Sequence, residues 1–284
     1  VAEPLAATTT EAPVEIAGPT EFFDAYLFDL DGTIYLGSEL LPGAAETIEA
    51  IRAHGAKTVF LSNNPTRDPE MYVRKLTGLG IVVERDEIIN TVVTTALWLK
   101  THHPNATVFP IAEEPLVKAL QEAGVRMSED PAEIDIVVAS YDRGFTYRKL
   151  QIAFDALWQR DHVKLITTNP DRYCPFPGGK GEPDAAAIVA AIEASAGVTC
   201  AANMGKPDRI MIDTVVAHLG VEPENTVMVG DRLETDIRMA VNAGMASALV
   251  LTGDSQLADV ERTAPEFRPT FVIPGVRHLV PGTN

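Results

Sequence analysis

The stretch that most constrains this chain is residues 25–33, AYLFDLDGT. Ala25, Tyr26, Leu27 and Phe28 lead into Asp29, and Gly32 ends the run. A short apolar run closed by a glycine turn predicts a strand buried in an α/β sheet. Asp29 and Asp31 are two apart, so extended backbone sends both carboxylates to the same side. They leave from the strand's carboxyl end, where open α/β sheets bind ligands. Carboxylates this close repel unless a cation lies between them or one keeps its proton. An ordinary acidic turn after a strand is the competing explanation.

The chain's 284 residues suffice for one large domain or two ordinary ones, and a hydrophobic share of 46% supplies their cores. The net charge of -17 sets the chain against nucleic-acid phosphates. An acidic protein that handles a phosphate ester needs local positive charge, most simply a metal ion plus a lysine. No apolar run approaches a membrane span, and nothing near Val1 has the charged-then-apolar pattern of a signal peptide. Cys174 and Cys200 form neither a disulfide framework nor a zinc spacing, which fits a reducing cytoplasm. His102-His103-Pro104 reads as an exposed helix end, so no zinc site is expected.

Residues 1–21, rich in Ala, Thr, Pro and Glu, read as a flexible N-terminal segment. A helix over 42–54 stops at Gly55. An apolar strand over 58–61 then runs into Ser62-Asn63-Asn64-Pro65-Thr66-Arg67. Asp68-Pro69 opens another helix with a capping carboxylate and a proline at its first position. Residues 88–93 are the candidate for a third strand, and this β-α-β-α order predicts a parallel sheet. Strands over 107–111, 134–139 and 163–167 alternate with helices over 114–123, 146–160 and 183–196, enough for an α/β domain inserted at 105–200. The chain then resumes with helix 208–219, strand 226–229, helix 235–243, strand 246–251 and a late strand at 271–273. Residues 22–104 and 201–284 therefore form one core domain.

Three further stations place a polar group where a strand ends or a helix begins. Ser62, Asn63 and Asn64 follow the strand over 58–61, where a hydroxyl and successive backbone N–H groups can hold phosphoryl oxygens. Lys206 precedes a helix start, a place where a cation opposes the helix dipole. Asp231 ends the apolar strand Val227-Met228-Val229-Gly230 and can reach a hard cation. Asp236 falls in the first turn of the next helix, where a carboxylate is also at home structurally.

Taken together and in this order, these stations resemble the four motifs of the haloacid dehalogenase (HAD) superfamily of phosphotransferases. DLDGT, the Ser62 loop, Lys206 and GDRLETDI supply the four matches. LSNNPTR, SYDRGFTYRKL, TTNPD and the GKP around Lys206 resemble the NagD-like, p-nitrophenyl-phosphatase-like type-IIA branch. The resemblance implies a Rossmann-like α/β core with a parallel sheet and an inserted type-IIA cap. It implies Asp29 as the nucleophile that forms an aspartyl-phosphate, and Asp31 as general acid and then base. Mg²⁺ would be held by Asp29, the backbone carbonyl of Asp31, and Asp231, with Asp236 orienting the metal shell and Lys206. Ser62 and Lys206 would hold the phosphoryl oxygens, with Asn63 and Asn64 beside them.

The resemblance also implies that the loop at 169–179 reads the leaving group, with Asp171, Arg172, Tyr173 and Cys174 as substrate contacts. Here the chain departs from the branch, because Lys180-Gly181-Glu182-Pro183-Asp184 replaces a Pro-Gly-x-Gly turn. The implied substrate is a small phosphate monoester such as a sugar phosphate, glycerol phosphate, phosphoglycolate or pyridoxal phosphate. The implied partner is a second copy of the chain, in a homodimer through the cap. Two other function classes compete with this one. A non-catalytic phosphate-ligand binder on the same fold is disfavoured because every catalytic position is filled. A two-component receiver domain fails on the inserted domain and on the position of Asp231 after the lysine.

Overall fold

The computed structural model describes residues 14–176 and 178–283, and the first thirteen residues of the expected N-terminal segment lie outside that range. Strand β1 (Ala25–Asp29) is followed by a small hairpin, β2 (Tyr35–Leu36) and β3 (Glu39–Leu40). Helix Ala44–Ala53, β4 (Lys57–Ser62), helix Pro69–Gly78 and β5 (Ile88–Asn90) come next. Helix Thr91–His102 leads away to β6 (Thr107–Ile111), β7 (Arg126–Met127), β8 (Ile136–Ala139) and β9 (Lys164–Thr167). A hairpin of β10 (Tyr173–Phe176) and β11 (Lys180–Pro183) precedes helix Ala185–Ala196 and β12 (Ala202–Asn203). Helix Arg209–Leu219, β13 (Thr226–Gly230), β14 (Ala246–Val250) and β15 (Phe271–Ile273) bring the chain back.

The core sheet has the order β15-β14-β13-β1-β4-β5, and every pairing is parallel. Alternation along β1 sends Tyr26 and Phe28 into one apolar layer and Leu27 into the layer on the opposite face. Both layers are dry, which is why β1 reads as a continuous apolar run. Tyr26, Phe28 and Phe60 stack in series at ring-centroid distances of 6.0 and 5.8 Å. The beginning of the described chain is held as well: Ala17 bridges Val272 of β15, and Val14 packs beside Leu249 and Val260.

A second parallel sheet has the order β12-β9-β8-β6-β7. Its strands run from Thr107 to Asn203, and a helix that precedes them packs against it. Helix Thr91–His102 buries Val92, Ala96 and Leu99 against Val108, Leu116 and Ile136 of this second layer, together with Met204. β12, which lies after residue 200, is the edge strand of the same sheet.

The expected third strand over 88–93 is shorter, ending at Asn90. Thr91-Val92-Val93 is β-branched and suits a strand by propensity, but Asn90 caps a helix there by accepting from the Val93 N–H at 3.2 Å. The same side chain donates to the Arg67 carbonyl at 2.7 Å and is fully buried, so it ties the loop after β4 to this helix start. Asn90→Ala removes the cap and leaves the Arg67 carbonyl without its amide partner. We expect a loss of about 2 kcal/mol in urea unfolding, and an unchanged midpoint would contradict this account.

Candidate active site

Strand order assembles the first part of the site. β1 lies between β4 and β13, so Asp29 at the end of β1 has Ser62 on one side and Asp231 on the other. Strands earlier in the chain continue on the β4 side and later ones on the β13 side. The crevice between β1 and β13 is therefore the topological switch point, where α/β sheets bind ligands.

Lys206 arrives from the segment after β12. It is 2% exposed, and its ammonium contacts Asp29 Oδ1 and donates to Asp236 Oδ1 at 2.7 Å. It is thus no solvated charge at a helix start: Asp208 caps the helix that begins at Arg209, and the lysine points inward. Asp236 lies in a π-helical turn, Leu233–Ile237, and its Oδ2 accepts the Arg232 N–H at 3.1 Å. Asp231 Oδ2 accepts the Asp254 N–H at 2.7 Å. A Cβ at Gly253 would fall 2.0 Å from that oxygen, so only glycine lets the loop after β14 approach so closely.

Carboxylate oxygens of Asp29, Asp231 and Asp236 lie within 4.8 Å of one another. Burial raises the Asp29 pKa, Lys206 pulls it down, and Asp236 and Asp231 push it up again, leaving it above the usual carboxylate range. Burial, then Asp236, raises Asp231 likewise. For Lys206, burial works against the charged form, but the two carboxylates outweigh it and hold the amine above its ordinary value. Three carboxylates converge around one buried ammonium that pairs with two of them, Asp29 and Asp236, and this excess of negative oxygen donors suits a hard divalent cation.

Asp31 stands outside that cluster, on the more exposed side of the mouth. Desolvation by neighbouring protein raises its carboxyl, while Lys75, the Gly37 N–H, Arg232 and Arg67 oppose the rise. Lys75 places its ammonium 3.4 Å from the centroid of the Tyr35 ring. Burial pushes its amine down to about 8 despite Asp31. The Ser62 hydroxyl lies 2.8 Å from the Tyr72 hydroxyl and accepts the Asn64 N–H. Lys75 and Tyr72 were not singled out from the sequence. On an amphipathic helix, Tyr72 reads as core and Lys75 as solvated surface.

The neighbouring amides are committed to protein partners. Asn64 Oδ1 accepts from both the N–H and the hydroxyl of Thr66. Asn63 is bonded to the Lys206 main chain and to Asp171. Of the four loop candidates, Asp171 reaches the core, with Arg232 Nη1 at 3.7 Å from its Oδ1. Arg172 and Tyr173 are exposed, and Cys174 is half-buried on β10. The departure at 180–184 forms β11, paired antiparallel with β10, and Glu182 there accepts from the Tyr141 hydroxyl.

The profile of the haloacid dehalogenase-like hydrolases matches residues 26–126, and a second HAD-hydrolase-like profile matches residues 203–279. The sugar-phosphatase AraL of Bacillus subtilis is 35% identical over 257 residues, covering 90% of this chain and 91% of that protein. The crystal structure of a 4-nitrophenylphosphatase from Thermotoga maritima superposes with a TM-score of 0.84 at 35% identity, over 90% of this chain and 96% of that one. NagD of E. coli K-12 superposes with a TM-score of 0.81 at 27% identity, over 90% and 98% of the two chains. The chain belongs to the haloacid dehalogenase-like hydrolases, and within them to the type-IIA, NagD-like phosphatases.

The buried ion cluster generates a stability prediction. Lys206→Met leaves Asp29 and Asp236 without their cation, and removing one partner of such a cluster costs about 3 kcal/mol. The Asp29 carboxyl, already raised by burial and now without the lysine that opposes the rise, then binds its proton more tightly folded than unfolded. Folding stability of the variant therefore falls as pH rises above the unfolded carboxylate pKa near 4. Urea unfolding in metal-free buffer is expected to show a larger deficit at pH 8 than at pH 5. Equal deficits would overturn this assignment of the charges.

Proposed function

We propose that this protein hydrolyses small phosphate monoesters by passing the phosphoryl group first to Asp29 and then to water. The observation that carries this reading is the buried Lys206 ammonium shared between Asp29 and Asp236, beside Asp231 and at the carboxyl ends of β1 and β13. An Asp29 oxygen attacks phosphorus as the bond to the leaving oxygen breaks, which divides one hard displacement into two easier ones. Asp31, at the mouth, gives its proton to the departing alkoxide. It then takes a proton from the water that hydrolyses the aspartyl-phosphate. A raised carboxyl pKa suits both duties, since the group must hold a proton in one step and release it in the next.

Lys206 and the Ser62 hydroxyl face the transferring phosphoryl oxygens, where positioning and charge compensation supply most of the catalysis. A divalent cation, Mg²⁺ by its preference for oxygen donors, would be held by Asp29, the Asp31 carbonyl and Asp231 and would neutralise phosphoryl charge. Asp236 has both oxygens occupied, by Lys206 and by the Arg232 N–H, which supports an orienting role.

The sugar phosphatase among the relatives supports a phosphorylated sugar or another small polyol phosphate as substrate. A reducing cytoplasm is supported by Cys174 and Cys200, both free thiols. Exposed Tyr147 and Trp158, at the two ends of one cap helix, support pairing of two copies through the cap.

Phosphate release from p-nitrophenyl phosphate and a panel of sugar and glycerol phosphates tests the reading. In Mg²⁺ the wild type is expected to turn over, chelation to stop it, and Asp29→Asn, whose amide oxygen can still accept from Lys206, to retain under about 1% of the rate while keeping a cooperative melting transition. Near-normal turnover by Asp29→Asn would sink the mechanism. Thermal stabilisation by phosphate esters with no release from any of them would favour a binding protein instead.

A further inference from the structure

A single carboxamide stands where the cap meets the catalytic lysine. Asn63 Nδ2 donates to Asp171 Oδ2 at 2.9 Å and to the Lys206 carbonyl at 3.0 Å. Asn63 Oδ1 accepts the Lys206 N–H at 2.7 Å. One side chain therefore brackets the Lys206 main chain on both of its polar groups and still reaches the cap. Asp171 is held from the cap side in turn. Asn169 Nδ2 donates to Asp171 Oδ2 at 3.0 Å and to Asp184 Oδ1 at 2.9 Å. That Asp184 oxygen also accepts the Ala185 N–H at the start of helix Ala185–Ala196. Hydrogen bonds run from a cap helix to the Lys206 main chain, and the lysine's own side chain completes the path to Asp29.

Packing at this junction leaves no slack. A Cβ on Gly205 would fall 2.6 Å from Asn63 Oδ1 and 2.8 Å from the Thr168 carbonyl. Asp171 itself is poorly placed to read a leaving group. One of its oxygens serves two amides, the other faces Arg232, and its negative charge would repel a phosphate ester.

We propose that Asp171 is a positioning residue through which the cap, seated on the core, fixes Asn63 and thereby the aim of the Lys206 ammonium. The role rests on the phosphatase reading above. Misplacing a catalytic group by about 1 Å can cost about 100-fold in rate, so holding the lysine's backbone is a direct lever on turnover. Arg232 answers the carboxylate's charge, and the hydrogen bond to Asn63 carries the positional information.

The test is a cycle of variants assayed for kcat and KM on p-nitrophenyl phosphate in Mg²⁺, with melting temperatures measured alongside. Asp171→Ala is expected to lower kcat about 20-fold with KM little changed. Asp171→Asn keeps an amide oxygen that can accept from Asn63 and Asn169, so it should stay within about threefold of wild type. If Asp171 acts through Asn63, adding Asp171→Ala to Asn63→Ala lowers kcat by less than about twofold further. Asp171→Ser takes the place of the alanine variant in the same cycle if the latter does not fold. Full kcat in Asp171→Ala, or losses that multiply in the double variant, would overturn the positioning role while leaving the phosphatase reading intact. So would equal damage in Asp171→Asn and Asp171→Ala that follows their melting temperatures. A wild type with no turnover on any ester would overturn the phosphatase reading itself, and this role with it.

Discussion

The rest of the structure depends on the ammonium of Lys206, buried between Asp29 and Asp236. Charges taken out of water are tolerated only when paired and hydrogen-bonded, and the penalty for a missing partner is several kcal/mol. The three residues come from segments far apart in sequence and meet only when β1 and β13 lie side by side. Burial makes each charge dependent on the others, so a core closed with one of them missing is destabilised. The same low-dielectric setting suits the cluster to the phosphoryl transfer proposed for it, because no solvent would have to reorganise as charge moves. Asp231 adds a further carboxylate against this cluster, which tips the balance of charge toward a cation.

Much of this was legible in the sequence because each group ends an apolar run. Asp29, Ser62 and Asp231 follow segments whose two faces are both buried, and such runs announce strands whatever their order in the sheet. Their spatial adjacency was less legible, and it came from the family resemblance more than from spacing. Local patterning misjudged residues 91–93, where one capping side chain overrides three β-branched neighbours. Nothing in the sequence showed that Tyr72 would meet Ser62, or that Lys75 would lie over Tyr35, since both contacts join a helix to a separate segment. The commitment of Asn63 was hidden for the same reason. An amide after a strand looks free until the segment 143 residues later is folded against it. The hairpin at β10 and β11 has no clear alternation, and its register is visible only once Tyr173 is seen opposite Pro183.

The two sheets share a seam that the sequence did not mark. Helix Thr91–His102 begins at the end of β5 yet buries Val92, Ala96 and Leu99 in the second layer, and β12 closes that layer from the far side of the excursion. Cutting at residues 105 and 200 would leave one part with an uncovered apolar helix face and the other with an unpaired sheet edge. Recombination between relatives therefore faces a constraint absent from freely linked modules. A cap could be transplanted as a working unit only with its entry helix and its exit strand. The exit strand ends three residues before Lys206, so an exchange of caps would carry the approach to the buried ion cluster along with it.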